Sequence, residues 1–176
     1  MCITRGIIQG SGVGPTFYIV LKSDLRPLSP TNVLSKYADD INLLVPQYCD
    51  VDMASEFDHV LCWAKSNKMV VNLSKTKEIV FRRPCPIRFH LAPSVPGIAL
   101  VDHVRSLGII LQQGLSFDYH ITALLKQCSQ RIYLLRMLRS QGLSSDQLHT
   151  VFVSLVVTRI LYALPAWGVC ICWTDW

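Results

Sequence analysis

Two adjacent carboxylates, Asp39 and Asp40, follow Tyr37 and Ala38 in a short break between two apolar runs. Like charges this close repel, and a cation that neutralises them removes the cost, so the pair is a candidate divalent-metal site. Mg²⁺ is the natural guest, or Mn²⁺ in its place. In a two-metal site the ions lie about 3.5 to 4 Å apart and clamp the attacking and leaving oxygens of an in-line phosphoryl displacement. An isolated Asp-Asp pair is also a common surface turn, so its neighbours have to decide. Upstream, Gln9-Gly10-Ser11-Gly12-Val13-Gly14-Pro15 is a glycine-rich turn. Its glycines let a backbone come close to a nucleotide or a strand, and Gln9 offers both a donor and an acceptor.

The elements that must position these residues follow from pattern. Pro15 suits the first position of a helix running to about Arg26, although residues 18–21 also read as strand. Residues 33–37 and 41–45 are the arms of a tight β-hairpin with Ala38, Asp39 and Asp40 at its turn. Asp50 is placed to cap a helix over residues 51–66, with Met53, Phe57, Val60, Leu61 and Ala64 on one face and Asn67 as its left-handed terminator. Strand-like pieces follow at 69–72 and 78–81. A proline-rich loop covers 84–96, where 87–91 can pair briefly, and a further hairpin or strand pair is expected from 98–101 and 106–111.

From His120 the periodicity becomes helical through Ile121, Leu124, Leu125, Cys128, Ile132, Leu135 and Leu138, and Gly142 closes the run. Ser144 and Gln147 then form a capping box, flanked by Leu143 and Leu148 as a hydrophobic staple, for a helix reaching about Leu164 before Pro165. The fold class expected is α/β (α+β), with a mixed part over residues 1–115 and a helical part over 116–176.

Composition narrows the function classes. The 176 residues suffice for one ordinary domain, 51% of them apolar and 16% charged, with a mean hydropathy of +0.33. Some of that apolar surface expects a partner. The net charge of +5 suits a polyanion, since phosphate contacts by Lys and Arg release condensed counterions. Seven cysteines without paired C-x-x-C spacing read as buried reduced thiols in an intracellular protein, and no secretory signal opens the chain. The one membrane candidate, residues 151–173, contains Arg159 and Pro165 and reads as a buried helix.

The glycine-rich turn and Tyr37-Ala38-Asp39-Asp40, in this order and spacing, resemble the paired motifs of reverse transcriptases. Further matches are to the non-LTR, LINE-type retrotransposon enzymes. Trp63, Asn67, Met69, Asn72 and Lys75-Thr76-Lys77, followed by Ile79, Val80 and Phe81, resemble that family's motif after the catalytic hairpin. Leu107-Gly108-Ile109, with Leu115, Phe117 and His120, is similar to its primer-gripping hairpin and thumb entry. Ala163-Leu164-Pro165-Ala166-Trp167-Gly168 resembles the usual end of the region.

The resemblance implies the second half of a right-hand polymerase palm (1–115) followed by a helical thumb (116–176). It makes Asp39 the main carboxylate ligand of catalytic Mg²⁺, Asp40 its partner and Tyr37 a wall near the primer end. Gln9, Gly10 and Ser11 would line the incoming nucleotide and template. Lys75, with Lys77 as rival, would be the cation near the departing pyrophosphate. Partners would be an RNA template, a DNA primer and deoxynucleoside triphosphates, with Arg131, Arg136 and Lys126 of the first thumb helix touching the strand backbones.

The departures matter too. The family carries another metal-binding Asp and the fingers upstream of the Gln-Gly-Ser segment, and Ile8 stands where a proline is usual. The expectation is therefore a polymerase piece that is inactive alone and needs the upstream segment of its parent, with a nuclear and cytoplasmic location for the parent element. The alternative is a non-catalytic transposon remnant that at most binds nucleic acid. An RNA-templated RNA polymerase fits less well, because the Tyr-Ala-Asp-Asp form and the Lys-Thr-Lys region match the reverse transcriptases.

Overall fold

The computed structural model describes residues 12–82 and 94–168, so Gln9, Gly10, Ser11 and the pairing expected at 87–91 lie outside the described residues. The chain forms two compact units, one of residues 1–76 with 90–99 and one of residues 77–89 with 100–176. Helices and small two-stranded sheets are mixed, in keeping with the α+β expectation.

The first unit opens with helix α1 (Gly14–Leu21), which has Pro15 at its start and ends earlier than its apolar run suggests. Its outer face leaves Phe17, Ile19 and Val20 exposed. Strands β1 (Val33–Tyr37) and β2 (Asp40–Leu44) pair antiparallel with Tyr37 opposite Asp40, so Asp40 belongs to the strand and Ala38-Asp39 alone make the turn.

Helix α2 (Met53–Ser66) is capped by Asp52, not Asp50. The Asp52 side chain accepts from the Ser55 N–H, three residues on, a reach that Asp50 is too far upstream to make. At the other end Asn67 has ordinary helical φ, and the left-handed residue is Lys68 at φ +57. Lys68 N–H reaches Lys65 O and Met69 N–H reaches Ala64 O, the two bonds of a Schellman end. Residues 69–72 form no strand, because their backbone leads into a turn closed by Lys75 N–H and Thr76 N–H on Asn72 O.

In the second unit β3 (Lys77–Ile79) pairs with β4 (Ala99–Val101). The hairpin lies one element further on than expected, between β5 (His103–Ser106) and β6 (Ile109–Gln112). Its two-residue turn, Leu107 at φ +45 and Gly108 at φ +87, has the positive φ values of the tight hairpin turns that follow strand twist.

Helix α3 (Asp118–Ser140) buries His120, Leu124 and Cys128 at a spacing of four. Gly142 at φ +91 ends it, with Gly142 N–H on Arg139 O and Leu143 N–H on Leu138 O. The capping box of Ser144 and Gln147 starts α4 (Ser145–Phe152) as expected. That helix passes through a π-helical turn (Val153–Val157) into α5 (Thr158–Leu161) and stops before Leu164. Ala163 turns left-handed at φ +52, and α6 (Leu164–Trp167) begins anew with Pro165 near its start.

Phe117, Leu124, Cys128, Val156 and Trp167 form the core of this unit, with Ile109, Leu111 and Ile121 packed against them. Cys128 is a buried free thiol, whereas Cys62 is exposed, so burial does not extend to every cysteine. Among the described residues no helix is long and apolar enough to cross a membrane.

Candidate functional site

The acidic turn is held from below by two lysines. Lys22, just past the end of α1, is 95% buried, being 5% exposed, and its Nζ donates to Ala38 O at 2.5 Å. Ala38 sits at φ +46, a conformation costing an L-residue about 1 to 2 kcal/mol, and the ammonium on its carbonyl helps hold it there. Burial pushes the Lys22 pKa below the usual lysine range and Lys36 adds to that, while the fields of Asp39 and Asp40 act the other way. Lys36 on β1 donates to Lys22 O and Leu25 O, taking up carbonyls at the end of α1. The two long side chains thereby tie α1 to the hairpin.

Asp39, Asp40 and Tyr37 are all exposed at the tip. Two anionic oxygen donors with open space around them suit a hydrated hard cation, which takes one or two carboxylates and keeps several waters. Among the described residues no group of three His, Cys, Asp or Glu side chains could hold a metal, so the pair would need ligands from elsewhere for a full site. Lys75 is exposed in the Asn72 turn and makes no ion pair with either carboxylate. Lys77 is exposed on β3, in the other unit.

Sequence reasoning missed the residue that organises the floor of this unit. Glu56, on α2, is fully buried. Its carboxylate accepts from Leu28 N–H at 3.1 Å, Ser29 N–H at 3.0 Å and Asn32 Nδ2 at 2.8 Å. Burial pushes the Glu56 pKa up, but the bonds from Asn32, Ser29 and Leu28, with His59 nearby, outweigh it and hold the carboxyl below its ordinary value. The loop before β1 is thus fixed to α2. Asp50, set free from capping, instead accepts from Ser29 Oγ, and Asp24 accepts from the Trp63 indole N–H at 3.1 Å. The available signal was positional: Glu56 falls between Met53 and Val60 on the apolar stripe, where a charge has to find partners.

In the second unit, Tyr162 Oη donates to Leu107 O at 2.8 Å, and a Cβ on Gly108 would stand 3.3 Å from the Tyr162 ring. That bond joins the Leu107-Gly108 turn to the end of α5. His120 packs edge-on against Trp167, ring centroids 5.4 Å apart, and the Trp167 indole N–H donates to Tyr162 O. Of the basic residues expected to face a strand, Lys126 and Arg136 are exposed, whereas Arg131 is half-buried with Nη1 on Leu155 O at 2.9 Å.

Comparison with known proteins supplies the class first. Over about 95% of its length the chain is homologous to RNA-directed DNA polymerases of Drosophila retrotransposons, as its motifs led one to expect. These are non-LTR elements. It is 27% identical over 186 residues to the RNA-directed DNA polymerase from mobile element jockey of Drosophila funebris, covering 95% of this chain and 20% of the relative. It is 30% identical over 184 residues to the "Probable RNA-directed DNA polymerase from transposon BS" of Drosophila melanogaster, covering 93% and 20%. The chain therefore spans about a fifth of the length of these relatives. No family model matches it, and no solved structure does.

Proposed function

We propose that this chain carries the second half of the palm (1–115) and the thumb (116–176) of a retrotransposon reverse transcriptase, acting within a longer parent polypeptide. The reading rests on the hairpin in which Tyr37 faces Asp40 across a two-residue Ala38-Asp39 turn, in a chain homologous to such polymerases nearly throughout. Asp39 and Asp40 would hold Mg²⁺ or Mn²⁺, which supplies charge neutralisation at a transferring phosphoryl group when bound. The chain's own residues do the positioning. Lys22 and Lys36 keep the turn in place, Tyr37 stands exposed beside the carboxylates, and Lys75 is the cation proposed near departing pyrophosphate. Gln9, Gly10 and Ser11 would line nucleotide and template. The partners proposed are an RNA template, a DNA primer, deoxynucleoside triphosphates and the upstream fingers and palm segment, in the nucleus and cytoplasm.

The experiment is primer extension on an RNA template, using this chain and a version extended upstream with the corresponding segment of a relative. The chain alone is expected to be inactive and the extended version active, and Asp39→Ala should lower the extended version's rate about 100- to 1,000-fold. Full activity of the Asp39→Ala extended protein would remove the metal assignment. Inactivity of the extended protein, with binding to template-primer intact, would favour the non-catalytic remnant.

A further inference from the structure

The β5–β6 hairpin, α3 and the helix that passes through the π turn line a half-open cavity of about 450 Å³ in the second unit. Arg105, Arg131 and Arg159 line it, and no Asp or Glu does. Two of the three guanidiniums are anchored, but on neutral acceptors. Arg131 Nη1 donates to Leu155 O at 2.9 Å, and Arg159 Nη2 donates to Gln127 Oε1 at 2.6 Å. A neutral anchor fixes a guanidinium without cancelling its charge, and each keeps further N–H donors to offer. Leu155 itself belongs to the π turn, a distortion that recurs at functional sites.

His120 lines the same cavity. It is 9% exposed, and neither ring nitrogen has a hydrogen-bond partner among the described residues, its one ring contact being the edge of Trp167. Three cations around one space repel one another, and although Arg105 and Arg159 are exposed and so partly screened by solvent, no acidic side chain in the lining offsets them. Burial, then the fields of Arg105 and Arg159, hold the His120 pKa below the usual histidine range, so the imidazole already senses positive potential from two sides. One anion would offset this repulsion and give the imidazole a hydrogen-bond partner.

We propose that this cavity is a phosphate-binding site, in which Arg105, Arg131 and Arg159 make charge-assisted bonds to a phosphate group and His120 adds one more. Forked guanidinium donors match phosphate oxygens, and the volume accommodates a phosphate with an organic or second phosphoryl group attached. The phosphate belongs either to a nucleic-acid strand or to a free anion such as pyrophosphate. The anion chemistry stands without the polymerase reading, and only the strand as carrier rests on it.

The test is histidine-resolved NMR on the full chain, with the His120 signal assigned by its loss in His120→Gln. Inorganic phosphate, pyrophosphate and a single-stranded oligonucleotide are added in turn against chloride at equal ionic strength. Phosphate is expected to raise the His120 pKa saturably while the exposed His149 stays unmoved. Arg105→Gln and Arg159→Gln, made separately and checked by thermal melting, should each weaken phosphate about tenfold. A His120 response no larger than in chloride, or one unchanged in both arginine variants, overturns the site. Displacement of phosphate by the oligonucleotide identifies the strand as carrier. Binding of phosphate and pyrophosphate without such displacement keeps the site with a free anion as ligand, and counts against the strand contact alone.

Discussion

Buried polar side chains gather in the unit that holds the acidic turn: Lys22, Ser29, Asn32 and Glu56 are all sequestered there beside a few small or aliphatic residues. The helical unit is built the other way, around Phe117, Leu124, Cys128, Val156 and Trp167. Charge divides as well. The described part of the first unit carries seven acidic and six basic side chains, that of the second four acidic and eight basic, so the positive charge lies with the helices. Apolar packing is non-directional and tolerates sliding, whereas a carboxylate accepting three defined donors fixes a loop in one place. The turn that carries Asp39 and Asp40 rests on the second kind of support.

The largest effects should separate the two kinds. Glu56→Ala leaves three donors without their acceptor and is expected to destabilise the first unit by about 3 kcal/mol or more. Leu124→Ala should cost about 2 to 5 kcal/mol in the second, as a core cavity does. Hydrogen exchange read by unit is the check. Loss of protection from Glu56→Ala confined to residues 100–168 would overturn the assignment of Glu56 as the clamp of the first unit.

Acid should then part the units by pH window. His120 has a lowered pKa when folded, so the unfolded chain takes up its proton first. Stability from this residue is complete above about pH 6.5 and is lost as pH falls from there toward the folded value. Glu56 is also lowered when folded, so its contribution is complete above the ordinary carboxylate range and is lost only as pH falls through it. At about pH 5.5 the helical unit should therefore have weakened and the other not. His120→Phe would flatten the upper window, and equal acid sensitivity of both units would show that these groups do not set it.

Smaller differences lie at the two Schellman ends. Gly142 occupies the left-handed site after α3 at no steric cost, while Lys68 occupies the equivalent site after α2. Lys68→Gly should stabilise the first unit by about 0.5 to 1 kcal/mol, and Gly142→Ala should destabilise the second by about 1 kcal/mol, both read from denaturant midpoints. The smallest effect concerns exposed Arg136. If it touches a strand, Arg136→Ala flattens the slope of log duplex affinity against log salt by about 0.9, and an unchanged slope removes it from the binding surface.

Elements whose cause is local were legible from residue order. The Tyr37 to Asp40 turn, the terminator of α3 and the Ser144-Gln147 box each depend on residues within a few positions of one another, whereas the α3 stripe was legible only in part, since Leu124 and Cys128 are buried but Leu125 and Ile132 are exposed. Homology over about 95% of the chain added the polymerase class. Placement by partners was not legible. Asp50 and Asp52 are equally good caps by type, but α2 starts at Met53, so Asp52 reaches the Ser55 N–H while Asp50, too far upstream, accepts from the Ser29 hydroxyl 21 positions away in sequence. The bond from Tyr162, where the last long helix ends early, to Leu107, 55 positions away, was not legible either. Lys22 and Glu56 read as ordinary charges until the fold brings Ala38 O to one and the Leu28 and Ser29 N–H groups to the other. A charged side chain's role is set by what desolvates it and what it then bonds, and distant segments supply both only once the chain has folded.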